Sequence, residues 1–287
     1  MSRFWRRGAL CCLLLLLSPL ALAAGPSAVR KQVESSMLVT GTLEITAEGT
    51  VRATTIDKVD KLPKDLVDWM QSQIAQWNFH PVLVDGKATP ARSAMSVRLV
   101  ARRLDDDRTT VAIRSASFEG PQPKPGETVA AVQMTPPRFP MQAVQQGVSG
   151  TAYMVLKIGP DGAVREALVE QVNLRFVASE SQMTRWRTIL GESALRAARK
   201  WTFEPPTSGQ YADLEYWSVR VPVDYTFETS RADRYGKWEV YIPGPRERVP
   251  WDTGDEPGLS PDALIDGNIY MAGQDRGPRL LTPLEEG

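Results

Sequence analysis

Cysteine and histidine are almost missing from this chain: Cys11, Cys12 and His80 are all there is in 287 residues. Both cysteines lie inside an N-terminal apolar run, so a chain cut after residue 24 carries none. Stability must then come from apolar packing, not disulfides. Thiol nucleophiles and thiolate metal sites are excluded. A single histidine excludes any two-histidine metal motif, and a Ser-His-Asp arrangement could use only His80. An excess of charge is missing too. Cutting after residue 24 removes Arg3, Arg6 and Arg7 from 34 basic residues and leaves 34 acidic ones, a net charge of −3. That balance gives no reason to expect nucleic acid or a strongly anionic membrane surface. No Gly-rich phosphate loop follows a strand pattern. Asp105-Asp106-Asp107 lacks the glycine and spacing of a calcium loop and reads as a solvated turn. The chain is therefore expected to be no enzyme, with no catalytic residue, no cofactor and no metal. Carboxylates brought together in space are the enzyme alternative that spacing leaves open.

A long apolar run is also absent. The stretch from Ala9 to Leu17 falls short of the roughly 20 residues that span a bilayer. It follows three arginines, breaks at Ser18-Pro19, and ends in Ala21-Leu22-Ala23, with small residues where a signal peptidase reads. The expectation is export to the periplasm with cleavage near Ala23/Ala24. Leu10, not a small residue, precedes Cys11, which argues against a lipoprotein site. Retention of the leader as an inner-membrane anchor is the alternative.

What is present is a repeat. Gly41-Thr42-Leu43-Glu44-Ile45-Thr46 is followed by Glu48-Gly49 and Val51-Arg52. Gly150-Thr151-Ala152-Tyr153-Met154-Val155-Leu156-Lys157-Ile158 is followed by Asp161-Gly162 and Val164-Arg165. Each set leads on to the same pattern, Trp77-x-Phe79-x-Pro81 and Trp201-x-Phe203-x-Pro205. Met37, Val39, Leu43 and Ile45 alternate as in a half-buried strand. The glycines then turn it into a hairpin. Leu66, Met70, Ile74 and Trp77 step as a helix with Pro63 in its first turn. Trp186, Leu190, Ala194, Ala197 and Trp201 step likewise, with Gly191 a candidate kink. Met95, Val97, Leu99 and Ala101 give a third strand, and Thr110, Ala112 and Arg114 a fourth. In the second unit Trp217, Val219, Val221, Val223, Tyr225 and Phe227 share one face. Pro222, which lacks a donor, marks that strand as an edge.

The fold class read from this is α+β: two tandem small units, each an antiparallel three- to four-stranded sheet with one or two helices on one face. The divisions are a signal segment (1–24), a first unit (35–118), a Pro-rich linker (119–133), a second unit (134–230) and an extended or disordered tail (231–287). After Phe227 a brief strand-like run, Trp238 to Ile242, leads into residues 244–287, which are Pro-, Gly- and acid-rich and are expected to be dispensable for folding. Trp77 and Trp201 read as core. Trp238 and Trp251 are candidates to pin the tail or face a partner, and His80 reads as a surface residue just beyond a helix.

The second unit resembles the C-terminal domain of TonB-type energy transducers. The resemblance runs through Pro136-Pro137-Arg138-Phe139-Pro140, Gly147, Gly150, Asp161-Gly162, Trp201-Thr202-Phe203-Glu204-Pro205 and Val221-Pro222-Val223-Asp224-Tyr225. The first unit looks like a degenerate copy without the Pro-Pro-x-Phe-Pro stretch. The resemblance implies a sheet whose last strand, here Leu214 to Phe227, pairs with an extended segment of an outer-membrane receptor. Because Pro222 removes a donor from that edge, a bound peptide is expected on one side of it, alongside Tyr216, Trp217, Ser218, Val219 and Arg220. Pro140, Gly147, Gly150, Asp161 and Gly162 would be structural. The chain departs from that family in its short leader, in a stiff Pro-rich stretch of only eight residues (Glu119 to Gly126) within its linker, and in the absence of a histidine before position 80. The expected partner is an envelope protein or peptide segment, without nucleic acid or small-molecule cofactor. A membrane-anchored transducer is the alternative.

Overall fold

The computed structural model describes residues 33–84, 86–103, 108–120, 123–227, 234–251, 261–272 and 277–284. The leader, the Asp105–Asp107 turn and Pro121-Gln122 of the linker lie outside the described residues.

In the first half, β1 (Glu34–Ile45) and β2 (Val51–Ile56) form a hairpin, then α1 (Lys64–Ile74) crosses the sheet. A two-residue ladder, β3 (Leu83–Val84) with β4 (Lys87–Ala88), precedes the long hairpin β5 (Ala91–Arg103) and β6 (Thr109–Glu119). The alternation of β1 points Met37, Val39, Leu43 and Ile45 to one face, where each is at most 2% exposed. Val67, Met70 and Ile74 of α1 close that face. Pro63 is the N-cap and not part of the first turn, and the helix stops before Trp77. Trp77 therefore turns into the core as a loop residue, where it and Phe79 meet the edge of Phe118 at 5.7 and 5.0 Å.

The second half opens inside the expected linker, because β7 (Ala130–Gln133) pairs with β10 (Thr202–Glu204). After a short α2 (Met141–Gln145), β8 (Gly150–Ile158) and β9 (Val164–Leu174) form the central hairpin. Next comes α3 (Glu180–Ala198), opened by a capping box between Ser179 and Gln182. The strand β11 (Trp217–Tyr225) then lies antiparallel to β8. Gly191 does not break α3. A Cβ there would stand 3.2 Å from a Val169 methyl, so glycine lets the helix lie close on β9. Met183, Leu190, Ala194 and Ala198 pack on Met154, Leu156, Val219 and Val221 to make this core.

The repeated motifs meet in space, in the same way twice. Gly49 (φ +91°) accepts a hydrogen bond on its carbonyl from Phe79 N–H at 2.8 Å, and Gly162 (φ +75°) accepts from Phe203 N–H at 2.9 Å. A Cβ on Gly49 would lie 2.1 Å from the Phe79 carbonyl oxygen, and one on Gly162 1.9 Å from that of Phe203. Each hairpin turn is thus clamped against its own Trp-x-Phe segment by a contact that admits no side chain.

The run from Trp238 to Ile242 contains a strand, as its sequence suggests, and the tail beyond Gly244 departs most from expectation. A short strand, β12 (Glu239–Tyr241), extends the first sheet by pairing with Glu34–Ser36 of β1. Its next residue, Ile242, bridges Leu174 of β9. Another, β13 (Tyr270–Met271), joins β11. The sheets run β12-β1-β5-β6, with β2 also on β1, and β13-β11-β8-β9. Asp262 is 2% exposed between them and accepts from Ser115 Oγ at 2.8 Å and from the Tyr241 hydroxyl. Leu280 bridges Phe79. These described segments dock although their sequence has no apolar period. Backbone pairing and isolated side chains seat them, and neither leaves a periodic signature. The mixed antiparallel sheets with few helices make this an α+β fold.

Candidate functional site

The last strand of the second sheet carries every residue singled out for partner binding except Tyr216, which immediately precedes it. Its alternating apolar side chains drive it onto β8, with Val219 opposite Leu156 and Trp217 opposite Ile158. Trp217 (3% exposed) and Val219 (0%) thus belong to the core and cannot touch a partner through their side chains. The Trp217 indole N–H donates to the Tyr211 carbonyl at 2.7 Å. Tyr216 donates to the Trp251 carbonyl at 3.2 Å, and its ring carries Lys157 Nζ at 4.5 Å. Phe227, expected on the apolar face, is half exposed and stacks on Phe139 at 5.0 Å.

β11 is not a bare edge. Val219 pairs with Met271 and Arg220 with Tyr270, and Ala272 N–H donates to the Ser218 carbonyl at 2.8 Å. The Ser218 carbonyl therefore faces outward. By strand alternation the backbone groups of Arg220, Pro222 and Asp224 do as well, while those of Val219 face β8. Pro222 lacks its N–H on this outward side. The covering strand ends short of it, and among the described residues β11 pairs with no strand beyond β8 and β13.

The other face of β11, which carries Ser218 and Arg220, is buried as well. Arg220 Nε donates to Glu170 Oε2 at 2.8 Å, and Arg246 Nη2 to Glu170 Oε1 at 2.8 Å. Glu170 is 1% and Arg220 5% exposed, so this buried carboxylate is held between two guanidiniums. Val155, Leu168, Val249, Trp251 and Ala272 form a small apolar cluster beside it. Trp251 thus pins the tail, whereas Trp238 is 37% exposed. Glu170 and Arg246 had no local sequence signal. They are 76 positions apart, and neither interrupts a pattern.

A polar cleft of about 110 Å³ lies between the two sheets, lined among others by Thr151, Tyr153, Arg175, Asp224, Arg234 and Tyr241. Asp224 bonds Arg175 at 2.5 Å and Arg234 at 2.6 Å. Burial alone would raise its carboxyl, but the two guanidiniums outweigh burial and hold it below the usual carboxylate value. An acid so placed keeps its charge and is a poor proton acceptor. Burial pushes the Tyr153 phenol up to about 12. No group of three metal-ligating side chains occurs among the described residues, and His80 is exposed.

The structural motif residues hold the site in place. Pro140 caps α2, and Gly147 (φ +67°) follows it. A Cβ on Gly150 would lie 2.5 Å from the Asn173 carbonyl oxygen, so glycine starts β8 flush against β9. Asp161 accepts from Ala163 N–H at 3.1 Å and pairs with Arg165 in the turn. Trp77, Phe79, Trp201 and Phe203 are core. Pro81 is exposed and Pro205 half-buried, each just past its motif.

No family model matches the chain, and no curated protein matches it. The solution NMR structure of the Pseudomonas aeruginosa TonB CTD is similar to it at 20% sequence identity, over 40% of this chain and 100% of that one. The TM-score of that match is 0.24, and at that value the superposition carries no argument about fold or partner.

Proposed function

We propose that this chain is an exported, non-enzymatic envelope protein that captures an extended segment of another envelope protein by adding it as a strand to β11. An outer-membrane receptor is the partner class that the sequence resemblance suggests. The carrying observation is the outward edge of β11, which already accepts a short antiparallel strand at Val219 and Arg220. Main-chain pairing supplies affinity in such a mode, and flanking pockets supply selectivity. Pro222 and the charge of Asp224 then limit indiscriminate pairing further along the edge. The two sheets are read as copies of one α+β unit, on the strength of the matched Gly49–Phe79 and Gly162–Phe203 contacts. In this reading the second copy keeps the docking strand, and the first serves as a scaffold that the tail braces.

Export is tested by intact mass of the protein recovered from periplasm, expected to begin at Ala24 or Gly25. A full-length species held in the inner membrane would overturn it in favour of an anchored transducer. Docking is tested by amide shifts of labelled protein on adding receptor-derived peptides. Shifts should centre on Ser218–Arg220. Shifts confined to α1, α3 or the first sheet would refute it. Substituting Pro at Val219, whose N–H faces β8, would break the sheet, so Ser218→Pro is the informative edge variant.

A further inference from the structure

Resting on the reading of β11 as a docking edge, we infer that residues 269–272 are a built-in occupant of that edge. A partner segment must displace them, and it must be uncharged, with apolar residues at alternate positions and a small hydroxyl side chain where Ala272 sits.

The seated strand defines the slot. It runs antiparallel to β11 with Val219 opposite Met271 and Arg220 opposite Tyr270. Ile269 and Met271 pack against the helix-side core. Ala272, 3% exposed, turns to the opposite face and joins Val155 and Val249. The stretch Asn268-Ile269-Tyr270-Met271-Ala272 carries no charge. The slot is therefore read by two apolar anchors on one side and one small residue on the other, the two-residue period of a bound strand.

The occupant is lightly held on β11. Its ladder covers two residues, against nine in the β8–β11 pairing. The Tyr270 hydroxyl bonds back to the tail, donating to the Ile265 carbonyl at 3.1 Å and accepting from Ile265 N–H at 2.9 Å. It also leaves the slot imperfectly satisfied. Ser218 Oγ, on a residue 7% exposed and next to Ala272 across the ladder, has no hydrogen-bond partner. A buried hydroxyl without a partner costs free energy, and Ala272 offers it none. A serine in place of Ala272 would reach it, since side chains directly opposite across strands lie about 5 Å apart. An incoming segment with that serine makes a bond the tail cannot make. That difference lets it displace a strand favoured by its tether.

The test uses the full chain and a fluorescent peptide of residues 268–273, alone and with Ala272→Ser in the peptide. Three chains are compared: unmodified, opened by Met271→Asp, and locked by a Ser218→Cys/Ala272→Cys disulfide. Circular dichroism and urea unfolding check that each folds. The opened chain should bind the peptide at least tenfold more tightly than the unmodified one, and the serine peptide several-fold more tightly again. The oxidised locked chain should not bind until it is reduced. Equal affinity for all three chains, or no binding by a folded opened chain, overturns the inference. If Met271→Asp unfolds the chain, amide exchange on the unmodified protein decides. Protection at Ser218 and Arg220 well below that of the β8–β11 ladder supports an exchangeable occupant, and protection equal to the ladder refutes it. The two proposals fail separately. Peptide binding without any response to receptor segments leaves the slot standing and removes the envelope partner. Receptor segments binding opened and locked chains alike would place docking away from this edge.

Discussion

Replacing Gly162 by alanine tests the clamp between turn and Trp-x-Phe segment. The residue sits at φ +75°, where an L side chain costs about 1–2 kcal/mol. That is not the whole cost. The new Cβ would stand 1.9 Å from the Phe203 carbonyl oxygen, so Phe203 or the turn must move. Either movement breaks the 2.9 Å bond from Phe203 N–H to the Gly162 carbonyl, worth about 0.5–1.5 kcal/mol. The expected loss is about 1.5–3.5 kcal/mol from the two effects together. Gly147→Ala is the internal control. Its φ is +67°, yet nothing lies within 4 Å of the added Cβ, so it should lose only the conformational part. Urea unfolding should show the Gly162→Ala midpoint well below that of Gly147→Ala at unchanged slope. Gly49→Ala, 2.1 Å from the Phe79 carbonyl oxygen, should behave like Gly162→Ala. If Gly162→Ala cost no more than Gly147→Ala, the clamp would be an idle contact and the matched geometry would lose its meaning.

Four further outcomes are expected. Trp201→Ala should cost about 3–5 kcal/mol, as for large buried aromatics; an unchanged melting temperature with lost binding would reassign Trp201 to the surface. Glu170→Gln should cost about 3–5 kcal/mol by leaving Arg220 buried without its counter-charge, while Glu170→Leu with Arg220→Leu should cost less, both by chemical denaturation. The Asp224 carboxyl is held low in the folded protein, so its stabilisation is complete above the unfolded value of about 3.9 and is lost as pH falls through the lower folded value; Asp224→Asn should flatten that acid limb of the stability curve. A chain ending at Gly244 should melt at a lower temperature than the full chain, because it loses Asp262, Leu264 and Ala272, each at most 3% exposed; an unchanged melting temperature would return the tail to a dispensable role.

Sequence reading reached the elements whose burial is periodic. Val39, Leu43, Met95, Val97 and Leu99 alternate and are all buried, and Met70 and Ile74 are spaced as one face of α1. The repeat was legible as text. That its glycine and phenylalanine touch was not, because 30 positions separate them in one copy and 41 in the other, and no local rule links a turn to a distant carbonyl. The outer edge of β11 was legible as a strand with a proline, whereas the short strand β13 paired with it was not. Ile269 and Met271 are only two alternating apolar positions, flanked by Tyr270 and Ala272, too few to show a period. The pairing of Glu170 with Arg246 is likewise a property of the assembled sheet. Trp77 shows the opposite failure, since its helical spacing was an accident of position. The helix ends first, and the tryptophan reaches the core from the loop.

The strand that finishes the first sheet also sets an order of events during folding. Glu34–Ser36 of β1 wait for Glu239–Tyr241, and Asn78 N–H waits for Thr282, which lies 204 positions further on. Closing a loop of that length costs entropy that grows only slowly with length, but contacts so distant in sequence form late and slow the folding of chains that depend on them. A chain folded only as far as β11 has two nearly complete sheets whose edges at Ser36 and Ser218 are still open, both able to pair with a neighbouring chain. The last fifty residues, the least patterned part of the sequence, end that interval.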